Sequence, residues 1–255
     1  MKYEDILFEK KDGIARITIN RPEKRNALRQ QTWRELYDAL VNASIDSSVG
    51  VIVLTGAGDK AFCAGADQNE EETNEYRVIC FAVANAITKA PKPVIAAVNG
   101  FAIGGGNWIH CLCDLTMAGE NAIFGQVGPM IGSIAAGFML PYQARILGEK
   151  KAREFWMLCE QYSAEEALEM GLVNKVVPPD KLEEEVNKWC DRILSLSPTC
   201  LKAVKGCFTQ ALGHLHGADS MEELVFPGWS SSEESKEGVK AFLEKRRPDF
   251  NKFRK

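Results

Sequence analysis

Over the first twenty positions the apolar residues follow a strand-like pattern, and they then switch to a helical one. Ile6-Leu7-Phe8 and Ile14 to Ile19 flank Lys11-Asp12-Gly13, a turn signal, so a β-hairpin is predicted. Arg21 to Asn26 reads as a charged loop. From Gln30 to Ala43, Trp33, Leu36, Leu40 and Val41 recur at helical spacing. Gly50 to Thr55 reads as an apolar strand of the kind buried on both faces. A loop of small residues, Gly56 to Asp67, follows it. Next come a helix over Glu75 to Lys89 and an apolar strand over Pro93 to Val98. Gly100 and Gly104-Gly105-Gly106 open a further helix that runs to about Cys113. Leu115 to Ala118 and Ala122 to Phe124 are short strands.

This alternation predicts an α/β core. Beyond Phe138 the pattern is almost wholly helical, over Lys150–Glu160, Ala164–Met170, Lys181–Ser195 and Pro198–Leu212. Met170 to Asn174 reads as a helix end followed by one more short strand. No strand signal follows Ser197. The expected division is therefore a core over 1–196 that carries the site and a helical module over 197–255. No repeat recurs at a fixed period.

Composition narrows the class. With 255 residues, 45% hydrophobic and 26% charged, the chain can bury a full core, and disorder, collagen and coiled coil are excluded as its main architecture. A net charge of −4 with acids and bases well mixed gives no reason to expect nucleic acid. Pro93–Cys113 and Asn121–Ala144 lack charged residues but are broken by Gly, Pro and Asn. They read as buried backbone that approaches something closely, not as membrane spans. Cys63, Cys80, Cys111, Cys113, Cys159, Cys190, Cys200 and Cys207 include no Cys-x-x-Cys pair. With a charged opening segment and no signal peptide recognised, they read as free, mostly buried thiols in a cytoplasmic protein without a metal site.

Glycine placement is the strongest chemical signal. Gly104-Gly105-Gly106 at a strand–helix junction exposes backbone N–H groups where negative charge can be held; close helix–strand packing is the plainer reading. A second small-residue turn, Phe62-Cys63-Ala64-Gly65-Ala66-Asp67, also follows an apolar strand. Together the two turns could place two N–H groups around one carbonyl oxygen. Carboxylates near these turns are Asp67, Asp114 and the run Glu70-Glu71-Glu72, which reads as a solvated face. His110 reads as a packed core residue. His214 and His216 lie in a Gly-rich loop with poor metal spacing. Trp108, Trp156 and Trp229 are equally pocket walls or packing residues.

Taken together, AFCAGADQ (61–68), VNGFAIGGGN (98–107), AIFGQVGP (122–129), GEKKARE (148–154) and EMGLVNKVVP (169–178) resemble the crotonase family, the enoyl-CoA hydratase/isomerase superfamily. The resemblance covers nearly the whole chain. It implies a spiral of ββα units followed by a helical trimerisation domain, assembled as a homotrimer or dimer of trimers. It also implies an acyl-CoA thioester substrate, with no tightly bound cofactor, whose enolate is stabilised by the N–H groups of Ala66 and Gly105. The family's hydratases carry two glutamates; this chain has Trp108 and Gly128 at those positions. FGQVGP, KKAREFW, Gln161-Tyr162 and KAFLEKRRPDF (240–250) are closer to naphthoate synthases and 2-oxocyclohexanecarboxyl-CoA hydrolases. Those branches have an Asp where this chain has Ala135, and a Tyr where it has Ser230 beside Trp229.

The resemblance assigns Gln126 and Ser133 to positioning water, and Asp67 to supporting the Ala66 turn. Trp108, Gly128, Ala135, Phe138, Trp156, Trp229 and Ser230 are expected to line an apolar, roomy acyl pocket. Bicarbonate or water at Gly128, held by Gln126 and Trp156, is a further expectation. CoA recognition is expected from Arg25, Ala27, Ala64 and Gln68, with Phe242 and Lys245 contributed by a neighbouring subunit. The activity expected is hydrolytic ring opening of a cyclic oxoacyl-CoA. The alternatives are hydration or isomerisation of a cyclic enoyl-CoA with non-standard acid and base groups, and a weakly catalytic acyl-CoA-binding protein.

Overall fold

The computed structural model describes residues 2–70, 73–134, 137, 139–211, 213 and 228–254. Contacts divide the chain into two compact units, one of residues 1–124 and 162–211, the other of residues 125–161 and 212–255.

The first unit opens with the expected hairpin. Strand β1 (Ile6–Lys11) pairs antiparallel with β2 (Ile14–Ile19) across a turn in which Asp12 and Gly13 both take positive φ. Helix α1 (Gln30–Ile45) buries Trp33, Leu36, Ala39, Leu40 and Ala43 on one face. Strands β3 (Val51–Gly56), β5 (Val94–Val98) and β7 (Leu115–Gly119) then add in parallel beside β2, and β10 (Lys175–Val177) closes the edge, giving the order β1-β2-β3-β5-β7-β10. Every residue of β5 is buried, as its apolar sequence requires in a sheet covered on both faces. One face packs on helix α7 (Leu182–Leu194), where Val51, Val53, Ile95, Ala97 and Met117 meet Val186, Cys190 and Ile193.

A second sheet is built from three-residue strands, β4 (Ala61–Cys63), β6 (Phe101–Ile103), β8 (Ile123–Gly125) and β9 (Gln161–Ser163), in that order. The chain thus winds as a long strand, a short strand and a helix. β3 and β4 lead into α2 (Asn74–Thr88), and β5 and β6 into α3 (Gly105–Leu112). This is the crotonase-like spiral of ββα units that the resemblance implies. The short strands correct the sequence reading. Gly56–Asp67 is not all loop but holds β4, and the triple glycine does not follow β5 directly, because β6 intervenes. Pro22–Lys24 in the charged loop is a 3-10 turn. Three residues are too few to show a period, so such strands leave no hydrophobic signature.

Among the described residues the remaining helices are α4 (Met139–Leu147) and α5 (Glu149–Leu158) in the second unit, α6 (Ala164–Glu169) and α8 (Pro198–Gln210) in the first, and α9 (Glu233–Leu243) in the second. Helix α8, which the sequence reading placed at the start of a separate module, belongs to the first unit. All eight cysteines are free, and five are buried. Among the described residues no helix is long and apolar enough to cross a membrane.

Most of α8 is exposed, yet its Lys205 is only 7% accessible. The Lys205 ammonium donates to Ile87 O (2.9 Å), Lys92 O (3.1 Å) and the Asp114 carboxylate (2.6 Å). The same Asp114 oxygen accepts the Val94 N–H at the start of β5 (2.7 Å). One buried charge therefore ties α8 to the end of α2 and to the central sheet. Removing one partner of such a pair strands the other, so Lys205→Met should cost about 3 kcal/mol. Urea unfolding checks this, with exposed Lys202→Met as the control. A loss no larger than the control's would show that α8 is held by other contacts.

Candidate active site

Strands β4 and β6 are parallel neighbours, so their C-terminal ends lie side by side. The turn leaving β4 is Ala64-Gly65-Ala66-Asp67. The turn leaving β6 is Gly104, followed by the first residue of α3, Gly105. These two turns touch through backbone. A β-carbon on Gly65 (φ +96°) would lie 3.0 Å from Ile103 O and 3.4 Å from Gly105 N. One on Gly106 would lie 2.1 Å from Cys63 O, a distance no side chain tolerates. The glycines are therefore what allows the second turn to seat against the first.

Leu28 fixes the orientation of Ala66. Its N–H donates to Gly65 O (2.8 Å) and its carbonyl accepts from Asp67 N (2.9 Å), a parallel bridge that brackets Ala66. The Gly65 N–H is taken by Cys63 Sγ (3.4 Å). The Ala66 N–H then faces away from the bridge. The Gly105 N–H, at the start of α3, has no helical acceptor. Among the described residues neither group donates to a protein atom. Two adjacent, unsatisfied N–H groups, one at the positive end of a helix, form a site for an oxygen that gains negative charge. Burial pushes the Cys63 thiol up to about 12, so it stays protonated, and its sulfur accepts the Gly65 N–H.

Buried charge supports the first turn. The Asp67 carboxylate meets the Arg21 guanidinium at 3.0 Å and accepts from Asn69 N (3.2 Å) and Nδ2 (2.9 Å). Burial raises the Asp67 pKa, but the bonds from Asn69 and Arg21 outweigh it and leave the carboxyl below its ordinary range. Arg29 joins the cluster through Asp5 (2.7 Å).

Aromatic residues stand beside the second turn. Trp108 lies one helical turn beyond Gly105. Its ring meets Trp33 edge-to-face at 5.9 Å and Phe81 at 6.2 Å. Trp33 Nε1 donates to Tyr76 Oη (2.9 Å), and Tyr76 Oη donates to Leu28 O (3.4 Å). From the β-carbon position of Gly105, Leu28 Cδ1 is 3.2 Å away and Trp33 Cζ2 is 3.7 Å away. Leu28 thus brackets Ala66 with its backbone and touches the Gly105 turn with its side chain. Sequence reading missed Arg21, Leu28, Trp33, Tyr76 and Phe81. Trp33 was visible only as a helix-face apolar residue, and Arg21 only as the first charge of a loop.

Residues expected to recognise CoA gather around the first turn. Ala64 N donates to Arg25 O (3.1 Å), Ala27 O accepts from Arg21, and Gln68 Nε2 donates to Ala66 O (3.3 Å). Arg25 adopts positive φ and lies over the Phe101 ring at 5.9 Å. Glu70 accepts the Gln30 N–H at the start of α1 (2.9 Å). His110 is fully buried between Asn107 (3.0 Å), Thr116 (3.4 Å) and the Phe124 ring, a core residue as expected.

In the second unit, Ser133, Trp156 and Trp229 line one cavity of about 580 Å³ with Ile134, Leu140 and Phe250. Both indole N–H groups are already used, Trp229 on Gly132 O (2.8 Å) and Trp156 on Gln143 Oε1 (2.6 Å), so the rings offer apolar surface. An anion held by Trp156 would have to displace Gln143. Gln126 is buried, and the Gly128 carbonyl closes a turn by accepting Ile131 N (3.1 Å) and Ser133 N (2.9 Å). Ser230 sits in a short 3-10 helix, Trp229–Ser231. Phe242 and Lys245, at the end of α9, are exposed. Ala135, Phe138, Glu71, Glu72, His214 and His216 lie outside the described residues.

The sequence model of the enoyl-CoA hydratase/isomerase family matches residues 9–253. A solved enoyl-CoA hydratase from Mycobacterium avium subsp. paratuberculosis is 32% identical, covers 98% of this chain and 99% of its own, and superposes with a TM-score of 0.91. A carnitinyl-CoA hydratase from Mycobacterium avium is 34% identical over 97% of this chain and 98% of its own, with a TM-score of 0.86. A methylmalonyl-CoA decarboxylase in complex with 2-nitronate-propionyl-CoA is 25% identical over 98% and 99%, with a TM-score of 0.87.

Two tests follow from this geometry. Gly106→Ala should unfold the turn and lower the melting temperature sharply, whereas Gly105→Ala presses only on the end of a leucine side chain (3.2 Å), its other neighbours being at ordinary contact distance, and should fold. Equal melting temperatures would refute the backbone contact. Burial pushes the His110 pKa down to about 3, below the value of about 6.5 it has when unfolded. The unfolded chain therefore binds the extra proton, and stability should fall as pH drops below about 6.5. Urea midpoints between pH 7 and 5 should decline in the native protein and decline less in His110→Gln.

Proposed function

The chain belongs to the enoyl-CoA hydratase/isomerase family, and within it we propose that this enzyme opens the ring of a cyclic β-oxoacyl-CoA thioester by adding water. The observation that carries this reading is the pair of acceptor-free N–H groups, Ala66 and Gly105, beside an aromatic wall. By resemblance, the family's hydratases place a glutamate in that wall; here it is Trp108. The chain keeps the means to hold an anion and lacks the usual carboxylates for moving protons during hydration.

The reaction balances as follows. The oxygen of water bonds to the ring carbonyl carbon. The bond from that carbon to the α-carbon breaks, and its electron pair becomes the thioester enolate. One hydrogen of the water ends on the α-carbon, and the oxygen with the other hydrogen forms the new carboxyl group. The Ala66 and Gly105 N–H groups stabilise the enolate oxygen, and loss of one such donor typically costs about a hundredfold to a thousandfold in rate. Beside the Gly105 turn, Trp108, Trp33 and Phe81 give an alicyclic or polycyclic acyl group an aromatic neighbour. Gln126 and Ser133 are assigned to the attacking water on sequence position. The similar decarboxylase supports the reading to this extent: its name denotes a reaction other than hydration, and its ligand is a nitronate, an anion beside a thioester.

The test is product analysis by mass spectrometry with fragmentation. The purified enzyme is given 2-oxocyclohexanecarbonyl-CoA and, separately, cyclohexenecarbonyl-CoA. The expected result is a new free carboxylate from the oxo substrate and no change in the enoyl substrate. A hydroxyl product from the enoyl substrate alone would overturn ring opening in favour of hydration. Binding of both without turnover would favour a weakly catalytic acyl-CoA-binding protein. Gly105→Val, which crowds Leu28 and Trp33, should lower turnover on the order of a hundredfold with circular dichroism unchanged.

A further inference from the structure

Arg21 lies in the first unit with its side chain 12% exposed, and nothing in the proposed chemistry assigns it a role. Its fork reaches two chain segments at once. Nη1 donates to Ala27 O, the carbonyl just before Leu28. Nη2 donates to the Asp67 carboxylate, just after Ala66 (3.0 Å). These are the two segments that meet in the Leu28–Ala66 bridge. We propose that Arg21 is a positioning residue, whose guanidinium clamps the two sides of that bridge and so sets the direction of the Ala66 N–H. The proposal rests on the reading that Ala66 and Gly105 hold the thioester oxygen.

The physical need for such a clamp follows from the hydrogen-bond count. Both bonds of the bridge that flank Ala66 go to Leu28; outside the bridge, Ala64 N–H donates to Arg25 O (3.1 Å) and Gln68 Nε2 to the Ala66 carbonyl (3.3 Å). Two bonds to one residue leave rotation about the line joining them, and that rotation swings the Ala66 N–H. The bonds from Asp67 to Arg21 and Asn69 remove that freedom on the Ala66 side. The bond from Arg21 to Ala27 removes it on the Leu28 side. Arg21 is itself held, since its own N–H donates to Asn26 Oδ1 (3.0 Å). Asn26 is fully buried and donates in turn to Ala57 O (3.0 Å) and Ala61 O (2.6 Å), at the entrance to β4. The clamp is therefore anchored to the strand that leads into the turn it controls. A lysine carries the same charge but no planar fork, so it cannot reach both acceptors in this geometry.

Arg21→Lys, Arg21→Met and the charge-neutral pair Arg21→Met/Asp67→Asn test the proposal. The pair guards against a folding defect from an unpaired buried Asp67. The readout is the infrared carbonyl stretch of cyclohexanecarbonyl-CoA, labelled with carbon-13 at the thioester and lacking a ring ketone. kcat and KM are measured alongside on 2-oxocyclohexanecarbonyl-CoA. In the native enzyme the stretch should move to lower frequency on binding. In all three variants the shift should shrink, and kcat should fall on the order of tenfold to a hundredfold with KM little changed, as expected for a misaimed donor. A native-size shift and native kcat in folded variants, with only the melting temperature lowered, would overturn the clamp and leave the anion site standing. No shift in the native enzyme would overturn the anion site itself, and the clamp with it.

Discussion

The rest of this structure depends on a contact between two stretches of backbone. The Cys63 carbonyl occupies the space where a side chain at position 106 would begin. No hydrophobic contact can substitute for this, because any side chain there pushes α3 away from the β4 turn. Once the contact is made, β4 and β6 must be parallel neighbours, α3 must start at Gly105, and two N–H groups must be left without acceptors. The long parallel strands β3 and β5, covered on both faces, hold the two turns in place from behind.

Leaving N–H groups unsatisfied costs free energy, and the surroundings offset it. Leu28 illustrates how few residues do so. Its N–H and carbonyl bracket Ala66, its side chain meets the Gly105 turn, and its carbonyl also accepts the Tyr76 hydroxyl that anchors Trp33. The aromatic wall and the anion site are therefore one assembly. A donor pair fixed before a ligand arrives needs no reorganisation when charge develops, and the proposed role of Ala66 and Gly105 rests on that.

The sequence revealed those parts of this assembly that leave a periodic or compositional trace. The hairpin, α1, β3, β5 and α7 follow from hydrophobic spacing. The two glycine turns stand out because three consecutive glycines and a run of small residues are rare beside apolar strands. The strands β4, β6 and β9 were invisible, since three residues carry no period. Arg21 was hidden for another reason: a charge in a charged loop looks solvated, and only the fold shows its guanidinium between Ala27 and Asp67. Trp108 read equally as a pocket wall or a packing residue, and its contacts with Trp33 and Phe81 depend on α1 and α2, which are distant in sequence. His110 was legible as core because it sits in an uncharged stretch, where burial keeps an imidazole neutral.

By resemblance, Trp108 and Gly128 stand where the family's hydratases carry glutamates, and this bears on the proposed chemistry. Hydration of a double bond needs a base to activate water and an acid to protonate the α-carbon within one site. The Trp108 indole can do neither. The proposed ring opening makes the same two demands, since water must lose a proton as it attacks the ketone and the α-carbon must gain one. The enolate forms from the breaking bond itself, without prior removal of an α-proton, and the ketone carbon is electrophilic before binding. Beyond those proton transfers, the proposed reaction asks for a fixed site for the oxygen of the thioester enolate. The Ala66 and Gly105 N–H groups, left without protein acceptors, offer that site.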